Sequence, residues 1–205
     1  MISLPRLYAI VDAAAFQKND DLVAFATELI FGGCTVLQYR NKNTSAGEMF
    51  GQALALKIMS VLGDVKLIMN DRADLCLAAE FDGVHVGQDD LSPPSVRSII
   101  GPDRWLGFST HNPRQVKEGD RTSADYLAIG PVFSTARKDK PDPVVGLEGV
   151  RQARALTQKP LVAIGGITRA NAASVIEAGA DSVAVISDLL REPRKSAEEF
   201  FRVLR

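Results

Sequence analysis

The sequence predicts a closed (β/α)8 barrel, the TIM-barrel class, and three observations lead to it. Short apolar runs alternate with amphipathic ones over the whole of the 205 residues. Read as strands followed by their helices, these runs make eight units, the number that closes such a barrel. No antiparallel hairpin signal interrupts them, so the strands are expected to lie parallel with helical crossovers. The length sits near the lower end of the range for this fold and suits a single domain over residues 1–205. A doubly wound open sheet is the alternative, and fits less well because such sheets usually carry fewer strands per domain.

Taken in order, the first strand covers 7–11 and ends at Asp12, and its helix, 21–31, stops at Gly32-Gly33. The second strand is 35–40 and its helix 45–62. The third strand, 65–69, stops at Asn70-Asp71-Arg72; helix 73–80 leads to the fourth strand, 83–87, which stops at Gln88-Asp89-Asp90. Helix 93–100 opens on proline, where a missing N–H does no harm. Strand 105–110, helix 113–118, strand 126–132 and helix 146–157 follow. Strand 161–164, helix 169–178, strand 182–186 and helix 196–204 close the chain.

Composition limits the partners. With 24 basic and 25 acidic residues and a net charge of −1, no broad positive field exists for a nucleic-acid backbone or an anionic membrane. Any anion site must be local. The two cysteines, Cys34 and Cys76, have apolar neighbours and read as reduced, buried thiols of a cytoplasmic protein. The N-terminal MISLPRLYAIVD is broken by Arg6 and Asp12, which argues against a signal peptide, and no run reaches the length of a membrane span. Small-molecule substrates remain as partners, and this composition is compatible with a homo-oligomer.

In such barrels chemistry gathers at the C-terminal ends of the strands. Those ends here carry Asp12, then Gln38, Arg40 and Lys42, Asn70 and Asp71, Gln88 and Asp90, Ser109 and His111, residues 130–138, Gly165-Gly166, and Ser187. A right-handed crossover between the third and fourth strands brings their ends to one side, which places Asp71 near Asp90. Residues 38, 40 and 42 share a face by their period of two, and Val36 before them fits an interior layer. An amide and two cations thus stand opposite a carboxylate pair. Gly165-Gly166 follows the seventh strand and Ile186-Ser187 ends the eighth, where backbone N–H groups often hold a phosphate. The long connection 133–145, with charges and two internal prolines, starts beside both anion sites and is expected to act as a lid, its Arg137 and Lys138 within reach of a phosphate.

Other chemistries find little support. Only His85 and His111 are present, the cysteines lack zinc spacing, and neither a nucleophile elbow nor a dinucleotide glycine fingerprint occurs. His85 falls mid-strand and reads as a hydrogen-bonded barrel-interior residue.

The segments LQYRNK, MNDRADL, GVHVGQDDL, GFSTHN, DYLAIGPVFSTARK, PVVGLEGV, PLVAIGGI and GADSVAVIS occur in this order. Together they resemble the thiamine phosphate synthase family over essentially the whole chain. The resemblance implies a barrel enzyme joining 4-amino-2-methyl-5-hydroxymethylpyrimidine diphosphate to a thiazole phosphate, or its carboxylated form, through a dissociative pyrimidine cation. It implies that Gln38, Arg40, Lys42, Asn70, Ser109 and Lys138 contact the pyrimidine diphosphate, with Tyr39 and Asn41 in the same segment. Of these, Arg40, Lys42, Ser109 and Lys138 are implied to be catalytic. Asp71 and Asp90 are implied to hold Mg2+, with Asp89 not a ligand. Thr135, Gly166, Ile186 and Ser187 are implied to contact the thiazole phosphate, beside Ala136 and Arg137; the family often has threonine where this chain has Arg137. Two rival readings are a thiazole tautomerase-like isomerase, which can carry a histidine near His111 and does not need the carboxylate pair, and a non-catalytic phosphate-ligand-binding barrel.

Overall fold

The computed structural model describes residues 2–134 and 143–205. Eight parallel strands close in chain order: β1 (Leu7–Asp12), β2 (Val36–Arg40), β3 (Lys66–Asn70), β4 (Gly83–Val86), β5 (Trp105–Thr110), β6 (Tyr126–Ile129), β7 (Leu161–Ile164) and β8 (Ser182–Val185). Pairing of Leu7 with Val183 and of Ala9 with Val185 completes the ring, which excludes the open-sheet alternative. Around it stand α1 (Asn19–Phe31), α2 (Ala46–Met59), α3 (Ala73–Ala78), α4 (Pro93–Ile100), α5 (Pro113–Asp120), α6 (Gly146–Leu156), α7 (Ala172–Glu177) and α8 (Pro193–Val203).

The elements follow from local chemistry. Ser45, Ser92 and Asn112 accept N–H bonds at the starts of α2, α4 and α5, satisfying donors that an isolated helix end leaves open. Proline opens α4, α5 and α8, and in α8 it starts the helix three residues before the expected 196. Helix α7 begins later than expected, at Ala172, because Asn171 folds the preceding residues into a turn, its Oδ1 accepting from Thr168 N at 2.8 Å. Strand β6 stops at Ile129 and not at 132. A Cβ on Gly130 would lie 2.3 Å from Ile164 O, and the chain then crosses onto the end of β7, with Val132 N donating to Ile164 O at 2.9 Å.

Period-two alternation sorts the strand side chains into two cores. Leu7, Ala9 and Val11 face the helices and join Leu22, Phe25 and Leu29 of α1 in the larger one. Tyr8 and Ile10 face inward with Val36, Ile68, Tyr126, Ala128, Val162 and Ala184, filling the barrel's axis.

A repeated clamp holds the face opposite the site. Asp82, Asp125 and Asp181 precede β4, β6 and β8. Each donates its backbone N–H to the carbonyl of a strand residue, Leu67, Leu106 or Leu161, and its side chain accepts that residue's N–H, at 2.9, 2.8 and 2.8 Å. A cation completes each clamp: Lys66 on Asp82, Arg97 on Asp125, Arg154 on Asp181. The strand starts are thereby fixed, which leaves the opposite ends free to differ.

Candidate active site

The ends of β2, β3 and β4 build one rim. Gln38, Arg40 and Lys42 do share a side: Gln38 reaches Tyr8 inside the barrel, Arg40 reaches Asp12, and Lys42 reaches Asp71. The Arg40 Nη1 to Asp12 Oδ2 distance is 3.0 Å, and Asp12 is buried, its other oxygen accepting from Ala14 N. A buried carboxylate paired in this way fixes the guanidinium's direction. Lys42 Nζ lies 3.1 Å from Asp71 Oδ2 and is half exposed.

Asp71 adopts φ +63°, the left-handed region, which Asp tolerates better than most residues. Two bonds impose it: Asp71 N donates to His85 O at 2.8 Å, and Arg72 N returns to Asn70 O at 2.8 Å. That turn aims the carboxylate at Asp90, which Gly87 N anchors through Oδ2 at 2.8 Å. Burial raises the Asp71 carboxyl above its ordinary range, and the hydrogen bond and charge of Asp90 raise it further against the pull of Lys42. Among the described residues no group of three or more His, Cys, Asp or Glu side chains gathers for a metal. Two carboxylates are a donor set that could hold a hard cation whose shell is completed by phosphate and water oxygens. Beside it the Asn70 side-chain nitrogen is buried without a partner, a donor that costs stability unless a ligand uses it.

Opposite, Gly165 and Gly166 take φ +102° and +62°. A Cβ at Gly165 would lie 2.6 Å from Pro131 Cα, and one at Gly166 2.5 Å from Ser134 O, so both space and backbone demand glycine. Arg169 binds Asp188 through two side-chain bonds of 3.0 and 3.1 Å and also pairs with Glu199, tying the loop after β7 to the turn after β8 that holds Ile186 and Ser187. Ser187 is exposed, and Ile186 packs partly against the inner core.

Below the rim runs a polar line that the sequence shows only in pieces. Tyr8 and Tyr126 hydroxyls meet at 2.9 Å, Tyr126 Oη lies 3.2 Å from His85 Nδ1, and His85 Nε2 lies 2.8 Å from Ser109 Oγ. His85 is thus the hydrogen-bonded interior residue expected, and burial pushes its imidazole down to about 4. The signal for the two tyrosines lies in the period-two alternation of their strands, which turns Tyr8 and Tyr126 inward as phenols that need partners when buried. Asp12 had the signal of an acidic strand end, without an assigned role.

Other expected site residues are placed differently. Tyr39 turns its side chain outward, its hydroxyl donating to Gln52 of α2 at 2.5 Å, because alternation along β2 points residue 39 away from the axis. Asn41 follows it, donating to the same Gln52 oxygen at 3.0 Å. The Nδ1 of His111 lies 2.6 Å from Gly130 O, and its ring lines a cavity of about 190 Å³ between α5 and α6. Thr135, Ala136, Arg137 and Lys138 lie outside the described residues, as does most of the expected lid; its flanks meet where Val145 N donates to Pro131 O at 2.9 Å.

The family described as Thiamine monophosphate synthase matches residues 7–189. The chain is 57% identical to a thiamine-phosphate synthase of Koribacter versatilis, covering 99% of this chain and 97% of that one. It is 43% identical to one of Chloroflexus aurantiacus, over 89% and 83%. A solved thiamine phosphate pyrophosphorylase from Pyrococcus furiosus superposes with a TM-score of 0.88 at 33% identity, over 97% and 95% of the two chains. The chain belongs to the thiamine monophosphate synthase family and is an enzyme, a transferase of that kind.

Proposed function

We propose that this barrel joins 4-amino-2-methyl-5-hydroxymethylpyrimidine diphosphate to a thiazole phosphate, releasing diphosphate and thiamine phosphate. The observation that carries the reading is the cluster of Lys42, Asp71 and Asp90 on one rim, opposite a positive-φ glycine turn on the other. One side suits a metal-bound diphosphate, the other a monophosphate.

Asp71 and Asp90 would hold Mg2+, which when bound neutralises charge growing on the departing diphosphate. Arg40 and Lys42 act on the same charge from the protein side, and Arg40 does so from a direction fixed by Asp12. Asn70 offers its unpartnered N–H to the same substrate, and Ser109 its hydroxyl. The pyrimidine cation left behind is attacked by the thiazole nitrogen, so no protein nucleophile is needed. Gly166, Ile186 and Ser187 hold the thiazole phosphate, with Thr135 and Arg137 proposed for the same group and Lys138 for the pyrimidine diphosphate.

The isomerase reading gives no role to the carboxylate pair. A coupled assay with both substrates, run against Mg2+ concentration and beside a tautomerase assay, tests the assignment. Metal-dependent formation of thiamine phosphate is expected. Tautomerase turnover without coupling would overturn it.

A further inference from the structure

The polar line inside the barrel has a property that no single contact in it shows. Gln38 Nε2 lies 2.9 Å from Tyr8 Oη, and the line continues through Tyr126 and His85 to Ser109, linking β2, β1, β6, β4 and β5. Each phenol carries one hydrogen, and a neutral imidazole one donor and one acceptor. If Gln38 donates to Tyr8, then Tyr8 donates to Tyr126, Tyr126 to His85 Nδ1, and His85 Nε2–H to Ser109 Oγ. Gln38 Oε1 and the Ser109 hydroxyl hydrogen are then left for a ligand. Turning the Gln38 amide over reverses every bond and leaves an amide donor at one end and a Ser109 lone pair at the other. A neutral line with a break in its direction buries a donor against a donor, or leaves a phenol hydrogen unpaired, and both are costly.

The surrounding packing protects this arrangement. A Cβ on Gly107 would lie 2.2 Å from His85 Nδ1 and 2.4 Å from Tyr126 Oη, so glycine within β5 leaves the space in which these two groups meet.

We propose that Gln38, Tyr8, Tyr126, His85 and Ser109 form one directional relay, in which a ligand N–H accepted by Gln38 Oε1 sets Ser109 as a donor. The proposal rests on the reading of the site as one for a pyrimidine diphosphate. An amino group on the ring supplies the N–H that selects this direction, and the Ser109 hydroxyl then points its hydrogen at an anionic oxygen. A keto group at the same ring position would accept from the amide, reverse the line and turn the Ser109 hydrogen back into it. Tyr8, Tyr126 and His85 are positioning residues in this scheme. Selectivity between amino and keto rings is thereby built into the barrel interior.

The test reads the His85 tautomer by nitrogen-15 NMR of the histidine-labelled full chain, with His111→Gln resolving which of the two histidines is which. With the aminopyrimidine diphosphate bound, a neutral Nε2–H ring is expected; an Nδ1–H ring or an imidazolium would overturn the relay. Gln38→Glu, read at a pH where its carboxyl is ionised, offers Tyr8 only an acceptor, so His85 should switch to Nδ1–H, and any other state in that ionised variant also overturns it. Tyr126→Phe cuts the line while keeping the ring, and should reduce discrimination between amino- and keto-pyrimidine diphosphates about 10-fold, the worth of one hydrogen bond. Unchanged discrimination with only a lower Tm would mean a merely structural role. Coupling assays separate the two readings: efficient coupling with the wrong tautomer refutes the relay alone, and the expected tautomers without coupling refute the function alone.

Discussion

Lys42 Nζ lies 3.1 Å from Asp71 Oδ2, so a cation suited to a diphosphate leans on a carboxylate suited to a metal. Each opposes the other's excess charge. Because the lysine is half exposed, the pair adds little to stability, at most about 1 kcal/mol. Lys42→Gln should therefore leave Tm nearly unchanged and raise the KM for the pyrimidine diphosphate about 10-fold, the loss of one charge-assisted contact. A large drop in Tm with unchanged KM would assign Lys42 to the fold instead.

The backbone at Asp71 makes a second prediction. At φ +63° an Ala costs roughly 1 kcal/mol more than Asp or Asn, and Gly costs none of that strain. Asp71→Asn should keep the wild-type Tm, Asp71→Ala should lower it, and Asp71→Gly should match or exceed Asp71→Asn, while all three lose coupling activity. Thermal unfolding in the absence of substrate checks the order. Equal Tm values for Ala and Gly would show that the turn relaxes.

The clamps on the far face predict the reverse pattern. Asp125→Ala removes the acceptor for Leu106 N–H and the partner of Arg97, costing about 3 kcal/mol in urea unfolding with KM and kcat unchanged. Loss of activity at full stability would contradict the separation of a stabilising face from a catalytic one.

These residues also mark what the sequence made legible. The eight units were readable because hydrophobic period and turn residues act locally, and their ends brought Asp71 to Asp90 through a single crossover. The paired roles of Asp12 and Arg40, 28 positions apart, were not, since register between strands decides them. The stop of β6 depends on Gly130 meeting a carbonyl of β7, a contact invisible within its own stretch. Tyr39 sits among charged neighbours in LQYRNK, yet alternation sends it to the helix layer. The clamp aspartates read as loop residues until three copies are seen on one face.

Burial pushes the Cys34 thiol up to about 12. The folded value lies above the unfolded one, about 8.5, so this group's contribution is complete below about pH 8.5 and falls as pH rises toward about 12. Its share of the slope reaches at most about 1.4 kcal/mol per pH unit. Cys34→Ala should be less stable at pH 7 from lost packing, with a flatter decline on the alkaline side. Urea unfolding of both proteins across that range is the measurement, and identical alkaline slopes would remove the thiol from the account.

Asp71 and Asp90 give the most discriminating prediction, because they are expected to fail together. If both bind the cation that the diphosphate also contacts, Asp→Asn at either site removes a charge, keeps size and one acceptor oxygen, and leaves the Gly87 N–H bond to residue 90 available. Loss of several kcal/mol of leaving-group stabilisation slows coupling roughly 100-fold or more. The losses should not add in the double variant, since one substitution already disables the shared site. Metal binding measured directly by calorimetry should weaken in the same variants, a readout independent of turnover. Asp89→Asn, exposed and one residue away, is the control and should keep wild-type values. If the two carboxylates served only the turns that carry them, both single variants would lower Tm and keep the wild-type rate at the same Mg2+ requirement. That result would end the metal-site reading, and with it the argument that the rim of β3 and β4 holds a diphosphate.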